Sequence, residues 1–182
     1  IEELRDCLSS GDYPSRSPEE NISDLMAQMA SCRRGGYLLS QLNKEFGADT
    51  AALQAEEILA TSAFAMLQGL KKIPEGCSSF EDNLDCGAKI AVKMHVKSNG
   101  VHFDFSGTGD VHQGNLNANP AIVRSAVMYC LRTLIDSDVP MNEGVMRPVT
   151  VTIPDGLLNP PWNCDTTLRP AVSGGNVETS QR

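Results

Sequence analysis

The sequence predicts an α+β fold: an N-terminal helical pair, then a β-hairpin and a further strand packed with a buried helix. Three observations carry this. Helical periodicity dominates up to about residue 75. Strict two-residue alternation replaces it from Lys89 onward, and a single amphipathic helical pattern returns after a long polar junction. The chain is thus read as a helical segment over 1–75 and an α/β segment with Gly/Asn-rich loops over 76–182, together a fragment of a larger multidomain protein. The start at Ile1 and the stop at Arg182 within a Gly-rich stretch suggest the fragment.

The first helix begins in "SRSPEENISDLMAQMASCRRGGYLLSQLNKEFG". Ser17 is placed as N-cap, Pro18 at the first helical position, and Glu20 three residues after the cap to complete a capping box. Ile22, Leu25, Met26 and Met29 recur at helical spacing, and Leu38, Leu39, Leu42 and Phe46 resume it. Gly35 and Gly36 interrupt the pattern, so a kink is expected there, with Gly47 as the stop. A second helix, from about Thr50 to Lys72, carries Leu53, Leu59, Ala63, Met66, Leu67 and Leu70 on one side. The two are expected to pair antiparallel, with their Met and Leu stripes as core.

After "IPEG", the acidic "FEDNLD" (Glu81, Asp82, Asp85) reads as an exposed turn, since it lacks the alternating ligand spacing of a calcium loop. "KIAVKMHVKSNGVHFDFSG" is a hairpin about Asn99-Gly100. Ile90, Val92, Met94 and Val96 share one face with Val101, Phe103 and Phe105; Lys93, His95, His102 and Asp104 share the other. Two registers keep these faces: a two-residue Asn99-Gly100 turn sets His95 opposite Asp104, and a four-residue loop sets it opposite His102. "NPAIVRSAVMYCLRTLID" is a buried helix capped by Asn119 with Pro120 first, and "RPVTVTIPDG" holds one more strand.

Composition excludes several classes. Lys plus Arg number 15 against 23 Asp plus Glu, for a net charge of -8, and the basic residues are scattered, so no nucleic-acid partner is expected. No apolar run reaches the ~20 residues of a membrane span. The six cysteines form no C-x-x-C pair and read as reduced thiols of a cytoplasmic protein, with Cys32 and Cys130 as small buried hydrophobes. The three histidines match no metal motif, and the hairpin pair reads as a solvated strand face. No metal ligand is assigned.

"FDFSGTGDVHQGNLNANP", Phe103 to Pro120, and "SGGNVETSQR", Ser173 to Arg182, are the candidate ligand loops. Neither has the G-K-[ST] of a phosphate-binding loop or the three glycines of a dinucleotide fingerprint. Glycine with Asn, Ser and Thr still offers backbone N–H groups and short polar side chains to a carboxylate or phosphate; tight turns at domain corners would use the same residues.

In order and spacing, "SPEENISDLMAQMASCRRG", "IPEG", "FDFSGTGDVHQGNLNANPAIVRSAVMYCLRTLI", "MNEGVMRPVTVTIPDGLLNP" and "AVSGGNVETSQR" resemble the hydantoinase B/oxoprolinase family, on its 5-oxoprolinase-like side. The resemblance implies the hydrolytic B component of an ATP-dependent amidohydrolase that opens a cyclic amide, 5-oxoproline or an N-substituted hydantoin. A hydantoinase A-type ATPase, as partner subunit or fused domain, would bind ATP and phosphorylate the carbonyl oxygen. A ketone carboxylase subunit and a non-catalytic assembly module of such a complex are the alternatives. A divalent metal is implied for the full protein, its ligands outside this chain, because the family's His- and Asp-containing upstream motif is missing here. A homo- or hetero-oligomer is implied as well.

By the same resemblance, Asp104 and Asn117 are the catalytic candidates. Ser106, Gly107, His112, Asn115, Asn142, Gly174, Gly175, Asn176, Thr179, Ser180 and Arg182 are the substrate-binding ones. Asp104 would orient the ring or accept from its nitrogen, and the asparagines with the "GGN" backbone would donate to a developing oxyanion.

Overall fold

The computed structural model describes residues 1–10, 14–135 and 139–161. It divides into two compact units, Ile1–Ala55 and Glu56–Arg182. No helix among the described residues is long and apolar enough to cross a membrane.

In the first unit, α1 (Glu2–Ser9) precedes α2 (Pro18–Phe46), and α3 (Ala48–Leu70) begins. The sequence reading missed α1, which buries nothing. Arg5 joins it to α2, donating from Nε to Glu19 Oε1 at 2.6 Å and from Nη2 to Oε2 at 3.2 Å. Pro18 opens α2 as expected and Gly47 ends it at φ +84, its N–H bonded to Asn43 O. The capping box does not form, because Ser17 makes no side-chain cap bond. Nor does the helix break: 29 residues run through Gly35 and Gly36, since an isolated glycine pair weakens a helix without removing a backbone donor.

The expected core stripe of α2 is a larger correction. Only Ile22 is buried, while Leu25, Met26, Met29, Leu38, Leu39, Leu42 and Phe46 are 39–62% exposed. A helix of this length, about 43 Å, outruns what an eight-residue α1 can cover.

The second unit holds a four-stranded mixed sheet in the order β1-β2-β3-β4: Gly76–Asn83, Lys89–Lys97, Gly100–Asp104 and Val149–Thr152. β1 and β3 are each antiparallel to β2, and β4 is parallel to β3 after a crossover through α4 (Pro120–Arg132) and a 3-10 helix at Glu143–Met146. β1 corrects the reading of "FEDNLD" as a turn: Glu81 and Asp82 lie in the strand. The strand shows no alternation because it is an edge with nearly every side chain exposed, leaving its backbone ladder to hold it.

The hairpin adopts the register that sets His95 opposite His102. Ser98 and Asn99 make the turn, and Gly100 already pairs with Lys97. Gly100 sits at φ +155, where a Cβ would lie 2.3 Å from Pro148 O, the acceptor of the Val101 N–H. This close approach fixes where β4 starts.

The apolar sheet face packs on α4 and on the C-terminal half of α3. Met66, Leu70, Val96, Val101, Val127, Leu131 and Val149 belong to one core cluster. Leu84, Ile90, Ala118, Val123, Leu157 and Leu158 form a second. Asn119 caps α4 by accepting from Ile122 N at 3.1 Å, as predicted. Cys130 and Cys32 are exposed rather than buried, and the five cysteines among the described residues are free. Cys130 lies about 100° round the helix from the buried Leu131.

Candidate functional site

β3 ends in an Asx turn. Asp104 Oδ1 accepts from Ser106 N at 2.9 Å and from Ser106 Oγ. The Ser106 hydroxyl, then the Ser106 N–H, with the positive charges of His102 and Lys93 adding less, hold the Asp104 carboxyl below the usual aspartate range. The chain then doubles back along β2. Thr108 Oγ1 accepts from Ala91 N at 3.2 Å and donates to Ala91 O at 3.0 Å, and Gly109 N donates to Lys89 O at 2.9 Å. Gly107 passes so near that a Cβ would sit 3.0 Å from Ala91 Cβ.

From Gly109 to Ala118 the chain closes into a loop. Leu157, fully buried, donates its N–H to Gly109 O at 3.0 Å and accepts from Ala118 N at 2.9 Å, so one residue clamps both ends. Inside, Asn117 is also fully buried. Its Oδ1 accepts from His112 N at 2.8 Å, and its Nδ2 donates to His112 O at 2.8 Å and Gly114 O at 3.2 Å. His112 Nδ1 in turn accepts from Gly114 N at 2.9 Å, which puts the proton of a neutral ring on Nε2. Turn residues are dense here because an amide side chain must find three partners within six residues.

The structure thus gathers Asp104, Ser106 and Gly107 in one turn, and His112, Asn115 and Asn117 in the loop that follows. Ser106, Gly107 and Asn115 are exposed. Asn142 lies elsewhere: its Nδ2 donates to Ser62 Oγ on α3 at 2.9 Å, and its Oδ1 accepts from Gly144 N at 2.8 Å. Gly174, Gly175, Asn176, Thr179, Ser180 and Arg182 lie outside the described residues. The sequence reading had not singled out Thr108, Leu157 or Ser62. Thr108 stood inside "SGTGD", whereas Leu157 acts through its backbone and leaves no side-chain signal.

On the polar sheet face the register lines up Cys77, His95, His102 and Thr150 in one row, and Ser79, Lys93, Asp104 and Thr152 in the next. The His95 and His102 rings stack at 6.0 Å, and His102 Nε2 shares a 2.8 Å hydrogen bond with Thr152 Oγ1. Among the described residues no group of three or more His, Cys, Asp or Glu side chains is placed to hold a metal ion.

The family model for hydantoinase B/oxoprolinase matches residues 2–182. The chain is 38% identical over 182 residues to the 5-oxoprolinase of Saccharomyces cerevisiae, a match covering 94% of this chain and 14% of the yeast protein. It is 38% identical over 162 residues to the 5-oxoprolinase PfmaA of Pestalotiopsis fici, covering 83% of this chain and 12% of that one. Among solved structures, the ATP-dependent caprolactamase of Pseudomonas jessenii shares the fold with a TM-score of 0.70 at 22% identity, over 94% of this chain and 29% of its own. The chain therefore spans a small part of each relative's length.

Proposed function

The chain belongs to the hydantoinase B/oxoprolinase family, and we propose that it is part of an ATP-dependent amidohydrolase that opens a cyclic amide, 5-oxoproline to glutamate or an N-substituted hydantoin. The observation that carries this reading is the family match over residues 2–182, joined to relatives named 5-oxoprolinase at 38% identity. A lactam carbonyl resists water because nitrogen donates into it. ATP, bound by a hydantoinase A-type component, fused or separate, would phosphorylate the carbonyl oxygen and leave as ADP; water would then add to that carbon on the B side, and loss of phosphate with cleavage of the C–N bond would open the ring.

The geometry supports a division of labour within the loop. The Asn117 amide has both ends engaged inside the loop, so it acts as a positioning residue. Asp104, tied to Ser106, orients the turn. Ser106, Gly107 and Asn115 are the exposed positions of this turn and loop, and with the "GGN" segment they are the ones proposed to face the substrate. In this reading the described chain supplies binding and orientation. One observation favours a second reading, an assembly module: the exposed apolar side of α2.

The test uses the full-length protein with its ATPase component and follows ATP-dependent glutamate release from 5-oxoproline, with a hydantoin and a bicarbonate-ketone mixture in parallel. Glutamate release supports ring opening of 5-oxoproline. Turnover of the hydantoin alone moves the substrate within the reading, and carboxylation of the ketone overturns the hydrolase. Absence of ATP-coupled turnover in all three hands the chain to the assembly reading.

A further inference from the structure

The geometry points to an oxyanion pocket on the polar sheet face, of the class that holds a phosphate group, separate from the loop described above. A cavity of about 280 Å³ opens where the β2–β3 turn meets the start of β4, and its polar lining is His95, Lys97, Asn99, His102, Arg147 and Thr150. Among the described residues no acidic side chain lines it. In a chain with 23 Asp plus Glu and 15 Lys plus Arg, such a lining runs against the composition.

Three of the lining groups, Arg147, His102 and His95, have fixed neighbours. Arg147 is fixed by Glu56 in a two-point pair, Nη1 to Oε1 at 2.6 Å and Nη2 to Oε2 at 2.8 Å, which leaves its Nε–H and remaining N–H groups to donate elsewhere. His102 is held through Nε2 by Thr152, and His95, with Cys77 Sγ 3.8 Å from its Nε2, stacks on His102. Each ring keeps a second nitrogen for a ligand. The strand register sets the two imidazoles directly opposite each other, so both rings border the same cavity. The neighbouring carboxylates are engaged, Glu56 by Arg147 and Asp104 by Ser106. At the floor, Gly100 presses against the Pro148 carbonyl and fixes the turn that carries Lys97 and Asn99.

Donors reach this cavity from β2, the following turn, β3 and the start of β4. That spread suits the three free oxygens of a phosphate better than the two coplanar oxygens of a carboxylate, for which one guanidinium fork suffices. The inference stands apart from the ring-opening reading, because neither Asp104 nor the loop from Phe105 to Asn119 lines the cavity.

The test titrates the full-length protein at low salt with inorganic phosphate, and with acetate in parallel, reading heat of binding rather than turnover. Two variants each remove one lysine from β2: Lys97→Met inside the pocket and Lys93→Met one row away on the same face. The expected result is saturable phosphate binding in the parent and in Lys93→Met, weakened about tenfold or more in Lys97→Met, the loss of one charge-assisted contact. Failure of the parent to saturate with phosphate overturns the inference, as do an unchanged Lys97→Met, an equal loss in both variants, or acetate bound as tightly as phosphate. None of these readings requires ring-opening activity, so the two proposals fail separately.

Discussion

Asn117 shows how much a single buried side chain can organise. Replacing it with alanine strands His112 N, His112 O and Gly114 O in a loop whose interior the buried Asn117 side chain fills. The expected cost is about 2–4 kcal/mol, the sum of lost bonds and unsatisfied groups, read as a drop in the denaturant midpoint of the full-length protein. Asn117→Asp should be no milder, because a carboxylate would face two carbonyl oxygens where an amide N–H₂ now donates. Asp104 makes a different prediction. Its carboxyl is held below the usual 3.8, so the ionised form is the one the fold favours. The stabilisation it gives the Ser106 turn is complete above 3.8 and is lost as pH falls through the lower, folded value. The Ser106 amide resonance should accordingly stay in its hydrogen-bonded position from neutral pH to below 3.8, and a midpoint above 3.8 would contradict the assignment.

Within the elements, glycines separate into those that space requires and those it does not. At Gly144 a Cβ would lie 2.1 Å from Leu59 O, a backbone atom of α3, so Gly144→Ala must push the 3-10 helix off α3. The expected loss is about 1–3 kcal/mol. At Gly35, inside α2, nothing lies within 4 Å, and Gly35→Ala should stabilise the helix by up to about 1 kcal/mol. Parallel thermal melts of the two variants check both signs. The same elements mark where the sequence could be read. The hairpin was legible because Val, Met and Phe alternate with Lys and His over a half-buried sheet, and α4 because an Asn-Pro cap precedes a clean stripe. β1 was not, since "GCSSFEDN" is an edge strand with nearly every side chain exposed, so no alternation marks it. α1 was missed for a related reason: it buries no side chain, and its tie to α2 is an ion pair 14 residues apart in sequence. At the candidate site, turn chemistry announced the polar loop, but its closure on Leu157 is a main-chain event that any residue except proline could supply.

For the whole molecule, α2 is where correct local reading led to a wrong global inference. The stripe from Leu25 to Phe46 does fold as a helix, yet it stays exposed, because burial depends on structure that need not lie in the 182 residues read. The yeast relative is matched over 14% of its length, so most of such a protein lies beyond the matched region. Large apolar side chains gain about 1.5–3 kcal/mol each on full burial, and a continuous exposed stripe of them is the signature of a contact surface. Cys32 reports on it: it lies seven residues after Leu25 and three after Met29, on the same side of the helix, and its thiol is exposed here. In the longer protein, Cys32 should therefore react with a thiol reagent far more slowly in the native state than in denaturant, and a Cys32→Ser variant should lose that slow fraction. Native labelling of Cys32 at the unfolded rate would mean that the stripe stays open in the full assembly, and would remove the observation on which the assembly reading rests.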